Sequence, residues 1–149
     1  MRTPVDVARE LIGAPYCFWE EACNPPDLVN CYIFTAWVYR QCGIWLPVTL
    51  AGQAASGIPV TEEGRSNDLV LIQGTREWLP RPEDGAFVHV GIYADVGEQT
   101  LVHASGNRRC VVEEPLADIL QLGDTVHVRR LARVHSELSA DTPRVASLP

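Results

Sequence analysis

Asn30-Cys31-Tyr32-Ile33-Phe34-Thr35-Ala36-Trp37-Val38-Tyr39-Arg40-Gln41-Cys42-Gly43 is apolar nearly all round. That pattern marks a helix buried at the centre of a domain rather than one lying on its surface. Upstream, Pro25-Pro26-Asp27 forbid a continuous helix and set a clean start at Asp27 or Asn30; Gly43 ends the helix after Cys42. Further upstream, Val5, Ala8, Leu11 and Ile12 recur at helical spacing until Gly13 stops them. Residues 14–30 are irregular and carry the acidic pair Glu20-Glu21. Downstream of Leu46-Pro47 a short helical stretch covers Leu50 to Ala55. Five strand candidates follow, at Leu69–Ile72, Phe87–Ala94, Thr100–Ala104, Cys110–Glu113 and Thr125–Val134. Helices first and strands afterwards predict an α+β domain, with the N-terminal helices packed on one face of a five- to six-stranded antiparallel sheet.

The chain has 149 residues and a formal charge of −7, and all its basic residues are arginines. This length suits one domain, predicted over residues 1–135, with 136–149 as a polar, proline-containing tail. Nucleic-acid binding needs a basic surface, and Arg129-Arg130 alone does not supply one; that pair is expected on a solvated strand face. An acidic chain is also repelled by anionic surfaces, and no apolar run reaches the length of a signal-peptide core or a membrane span. The expectation is a cytoplasmic protein, or one exported by a route or in a phage or effector setting that the sequence does not show. Five cysteines leave an odd one, and their spacings suggest no disulfide framework. Cys17, Cys42 and Cys110 are expected as buried or half-buried thiols; Cys17 and Cys23 could pair, but a reducing compartment argues against it.

The chemistry-bearing residues are Cys31 at the helix start and two histidines in strand-like segments, Val88-His89-Val90-Gly91-Ile92-Tyr93 and Leu101-Val102-His103-Ala104-Ser105. A thiol is mostly protonated near neutral pH, and a helix N-terminus together with a nearby imidazolium would stabilise its thiolate. Cys31 has the first by position, His89 could supply the second, and His103 could orient the His89 ring. Tyr16 and the Cys31 N–H are candidate donors to an oxyanion. A tight turn centred on Val96 would pair residues whose numbers sum to 192, setting His89 directly opposite His103 on one face. Two other readings stay open at this point: the three residues as ordinary core, or as a zinc site without the usual close ligand pairs. His127 and His135 are read as surface or structural.

Taken together, Tyr16, Asn30-Cys31, Gly43-Ile44-Trp45-Leu46-Pro47, Gln53, Asp68-Leu69-Val70, His89-Val90-Gly91-Ile92-Tyr93 and His103-Ala104-Ser105 resemble the NlpC/P60 cysteine peptidases, in the family's order and over roughly residues 5–116. The resemblance implies a papain-like fold. It implies Cys31 as nucleophile, His89 as general base, His103 as orienting residue and Tyr16 as oxyanion helper, with no metal or organic cofactor. The implied reaction is hydrolysis of an amide in a peptidoglycan stem peptide, commonly between D-glutamate and a diamino acid, so the partner is a peptide or muropeptide. The chain departs from the family's Asp-Cys-Ser-Gly at Asn30-Cys31-Tyr32-Ile33. Asn30 still caps the helix but carries no charge. Tyr32 adds bulk beside the site, and Glu20 or Glu21 could return a carboxylate to it. The alternatives are hydrolysis of a non-wall amide, or an inactive binding module on the same fold.

Overall fold

The computed structural model describes residues 2–77 and 86–132. The predicted tail, the 135/136 boundary and His135 lie outside them.

Helix α1 (Pro4–Glu10) opens with a capping box: the Thr3 side chain accepts from the Asp6 N–H, and the Asp6 carboxylate accepts from the Thr3 N–H. It stops short of Ile12, and Gly13 takes a φ of 99° that a side chain would resist. Helix α2 (Cys31–Gln41) is the central one, with Phe34 and Val38 fully enclosed and Gly43 turning the chain at φ 80°. Asn30 rather than Asp27 is its cap: Asn30 Oδ1 accepts from the Ile33 N–H at 2.8 Å, a bond worth about 1 kcal/mol. Helix α3 (Leu50–Ala54) is capped by Thr49.

Among the described residues six strands form one antiparallel sheet: β1 (Ile58–Pro59), β2 (Leu69–Gln73), β3 (Phe87–Asp95), β4 (Thr100–Ser105), β5 (Cys110–Pro115) and β6 (Thr125–Arg130), in spatial order β1-β6-β2-β3-β4-β5. β1 is a two-residue edge strand ending in proline, too short to show periodicity. Alternation along β2 divides the packing between two faces. Leu69 and Leu71 join the main core with α1 and α2, while Val70 and Ile72 join a smaller cluster with Val88, Tyr93, Leu101 and Leu116. Leu116 belongs to α4 (Leu116–Ile119), so the helices are not confined to one face as predicted; this four-residue helix gives too short a pattern to read.

Several sequence blocks have scaffold roles. Gln53, fully buried, accepts from the Thr35 hydroxyl and donates to the Tyr32 and Pro47 carbonyls, fastening α2 to the Leu46-Pro47 loop. Asp68 takes the Arg130 fork on both oxygens, at 2.9 and 2.7 Å, and Arg129 donates to the Ala54 carbonyl. Both arginines lie on strand β6 and are part-exposed, and the β6 backbone brings both guanidiniums within reach of acceptors. His127 is structural, bonded to the Gln73 side chain at 2.6 Å and edge-on to Phe87.

Candidate active site

All seven residues singled out from the sequence line one cavity of about 730 Å³: Cys31, His89, His103, Tyr16, Asn30, Tyr32 and Glu20. The α2 start delivers Cys31. The preceding loop delivers Tyr16, whose N–H bonds the Arg109 carbonyl beyond β4 while its neighbour Cys17 bonds the Val29 carbonyl. The Tyr16 ring packs edge-on against Phe18 at 4.8 Å, and Gly106 lies beneath both rings. Tyr32 donates its hydroxyl to Glu20 at 2.6 Å, which fixes that carboxylate on the cavity wall. Burial, then the charge of a Cys31 thiolate, pushes the Tyr16 phenol well up, so it is a donor at neutral pH.

The histidines meet, but not by the predicted register. β3 and β4 pair Ile92 with Val102 and Tyr93 with Leu101, and an irregularity before the Asp95–Thr100 pair leaves Ala94 as an extra residue. The turn is thus longer than the tight one expected, and paired residue numbers sum to 194 rather than 192. The error is an even number of residues, so both histidines still face the same way. Continuing the ladder sets His103 across from Gly91, where a Cβ would stand 3.1 Å from the His103 Cβ. The missing side chain lets His103 lean along the strand to His89. His89 Nε2 lies 2.7 Å from His103 Nδ1, with the rings perpendicular. The other His103 nitrogen, Nε2, lies 2.7 Å from Glu114 Oε2, and Glu114 Oε1 receives Arg108. With both His103 nitrogens engaged, the zinc alternative lacks its third ligand. Among the described residues no group of three or more His, Cys, Asp or Glu is placed to hold a metal ion.

Electrostatics correct a second expectation. Cys31 is 5% exposed, and burial pushes its thiol up to about 12 against the backbone N–H groups of Val90, Tyr32 and Cys31 itself, which favour the thiolate. Desolvation, then repulsion from positive charge on His103 and on Arg76, lowers His89 to about 3. Desolvation also lowers His103, with Glu114 opposing. The resting site is therefore a neutral thiol sharing a cavity with neutral imidazoles, because the helix start cannot outweigh enclosure of the sulfur.

Sequence reasoning missed Glu114, Arg108 and Arg76. A strand glutamate and a turn arginine read as surface residues, and nothing local marks them. Arg76 is held by Asp124 on both oxygens at 2.9 Å. Cys17 and Cys23 are free, their thiols both directed at the Trp19 carbonyl.

A cysteine at the start of a central helix, sharing a cavity with paired histidines from an antiparallel sheet, defines a papain-like α+β domain. Comparison with known proteins finds this fold among the NlpC/P60 proteins, with sequence similarity to one of them over part of the chain. It is 35% identical over 85 residues, 56% of its length, to a probable endopeptidase p60 of Listeria seeligeri, of which it spans only 14%. Its fold matches NlpC1 of Trichomonas vaginalis with a TM-score of 0.68 at 20% identity, covering 85% of this chain and 42% of the other. It also matches RipD of Mycobacterium tuberculosis, a non-catalytic NlpC/p60 domain protein adapted to peptidoglycan binding, with a TM-score of 0.61 at 16% identity over 87% and 98% of the two chains. No family model matches the sequence. Among the described residues no helix is long and apolar enough to cross a membrane.

Proposed function

We propose that the protein is a cysteine peptidase or amidase that cleaves an amide of a peptidoglycan stem peptide, of the D-glutamyl–diamino acid type. The observation that carries this reading is the convergence of Cys31, His89 and His103 on one cavity, with the histidines bonded at 2.7 Å. In this reaction the Cys31 sulfur attacks the scissile carbonyl carbon while its proton passes to His89. The carbonyl oxygen takes up the electron pair and is stabilised by the Tyr16 hydroxyl and the Cys31 N–H. Collapse expels the amine, which receives the proton from His89, and leaves a thioester on Cys31. Water, deprotonated by His89, then adds to the thioester carbonyl carbon; the carbon–sulfur bond breaks, the acid leaves, and His89 returns its proton to the Cys31 sulfur. A neutral resting pair suits this sequence, since the proton leaves sulfur only as the carbon–sulfur bond forms. Glu20, held by Tyr32, is the carboxylate offered to a substrate amino group in place of the uncharged Asn30.

The test is incubation with defined muropeptides, with the cleaved bond identified by mass spectrometry. Wild type is expected to release fragments cut at one amide and Cys31→Ala none. Release that survives Cys31→Ala would end the cysteine mechanism. A second reading, a binding module, is favoured by the burial of Cys31; it predicts saturable muropeptide binding without any cleavage by the wild type.

A further inference from the structure

Glu114 has no part in the reaction as written above, yet it is bonded to the orienting histidine. Resting on the cysteine-hydrolase reading, we propose that Glu114 is a positioning residue that sets the tautomer of both histidines and so keeps the base nitrogen of His89 free of a proton.

The argument is one of donor and acceptor counting. A neutral imidazole has one N–H and one lone pair. Glu114 Oε2, 2.7 Å from His103 Nε2, can only accept as a carboxylate, so that nitrogen carries the His103 proton. His103 Nδ1 is then an acceptor, and the hydrogen in its 2.7 Å contact with His89 Nε2 belongs to His89. His89 Nδ1 is left with its lone pair. Without an obligate acceptor at Glu114, His103 is free to protonate Nδ1 and donate to His89 Nε2. The His89 proton would then sit on Nδ1, where it blocks uptake of the thiol proton. Orientation and tautomer control of this kind are what a carboxylate gives a catalytic imidazole in a triad.

Geometry holds Glu114 to the task. It lies opposite Leu101, two residues along the β4–β5 ladder from the His103–Val112 pair and on the same face. Its side chain is 12% exposed. Its second oxygen, Oε1, receives Arg108, through Nε at 3.3 Å and a terminal nitrogen at 3.1 Å, which favours the orientation that keeps Oε2 on His103. Proton uptake by His89 creates an imidazolium next to His103, and Glu114 is the anion at the far end of that pair.

The test combines kinetics with ¹⁵N NMR of the histidine side chains in wild type, Glu114→Gln, Glu114→Ala and Arg108→Ala. In resting wild type both rings are expected to carry their proton on Nε2. Glu114→Gln, whose amide can also donate, and Glu114→Ala are expected to shift both rings towards the Nδ1–H form. Both are expected to lose about a hundredfold in kcat at nearly constant KM. Arg108→Ala is expected to lose less, since it leaves the acceptor in place. Wild-type tautomers in Glu114→Gln, or an unchanged kcat, would overturn the proposal while leaving the hydrolase reading intact. A wild type that cleaves nothing would remove the hydrolase reading, and the NMR arm would still decide the tautomer claim. If Glu114→Ala does not fold, Glu114→Gln alone decides, because it keeps the volume while Arg108, which can only donate, claims its one acceptor oxygen and turns the amide N–H2 towards His103.

Discussion

Glu113 and Glu114 are adjacent on β5, identical in chemistry, and each is met by an arginine, yet the strand's alternation sends them to opposite faces. Glu113 pairs across the ladder with Val102 on the helix face. It binds the Arg9 fork of α1 at 2.9 and 3.0 Å and accepts from the Thr100 hydroxyl at 2.8 Å. Every strong acceptor site is spent on the scaffold. Glu114 divides its oxygens between Arg108 and His103, so one of them is left to act on an imidazole. A carboxylate whose two oxygens go to one guanidinium locks elements together. One that shares them can transmit the restraint of its arginine to a third group.

If the faces divide duties in this way, substitutions on the site side change rate at constant melting temperature, and those on the helix side do the reverse. The largest effect of this kind outside the Cys–His set is expected for Tyr16→Phe. Loss of one oxyanion donor costs about a hundredfold in kcat, and stopped-flow or discontinuous muropeptide assays at saturating substrate would register it. An unchanged kcat would move the oxyanion role to backbone N–H groups alone. Gly91→Ala comes next. The added Cβ meets the His103 Cβ at 3.1 Å and the Leu101 side chain at 3.3 Å, so it pushes His103 off His89. A displacement of a few tenths of an ångström should cost about tenfold in kcat, on the principle that small misplacements of reacting groups are expensive. Retention of full rate would show that His103 does not need the gap.

Glu113→Gln is the mirror experiment and the smallest effect. Arg9 is half-exposed, so losing the ion pair should cost about 1 kcal/mol, seen as a lower melting temperature with kcat unchanged. Its pH dependence carries a sign. The hydrogen bond from Arg9 holds the Glu113 carboxyl below its ordinary 4.5 in the folded chain. The unfolded chain therefore takes up the proton first as pH falls. The stability that separates wild type from Glu113→Gln is present above about pH 4.5 and disappears as pH drops through the folded pKa. Melting curves of the two proteins should converge in acid; curves that stay parallel would mean that the pair contributes packing rather than charge.

What could be read from the residues was whatever rests on local pattern. The all-round apolarity of α2, its Asn30 cap, its end at Gly43 and the five longer strands follow from periodicity and backbone chemistry within a few residues. Cys31, His89 and His103 were legible because their residue types, order and flanking blocks are themselves linear. The extra residue at Ala94 was not, since a bulge is a choice between two nearly equal pairings that the facing strand decides. The neutral resting state of the site was equally out of reach. A helix start favours a thiolate by local rule, but the raised Cys31 thiol and lowered His89 come from how much protein surrounds them. Glu114 is the clearest case. Alone it is one of two neighbouring strand glutamates, and only the sheet register gives it His103 on one oxygen and Arg108 on the other. The sequence by itself determined the elements and the candidate site residues, because those depend on neighbours along the chain. The proton positions and the pairing of the histidines were decided by tertiary structure, because hydrogen-bond partners and desolvation are set by neighbours in space.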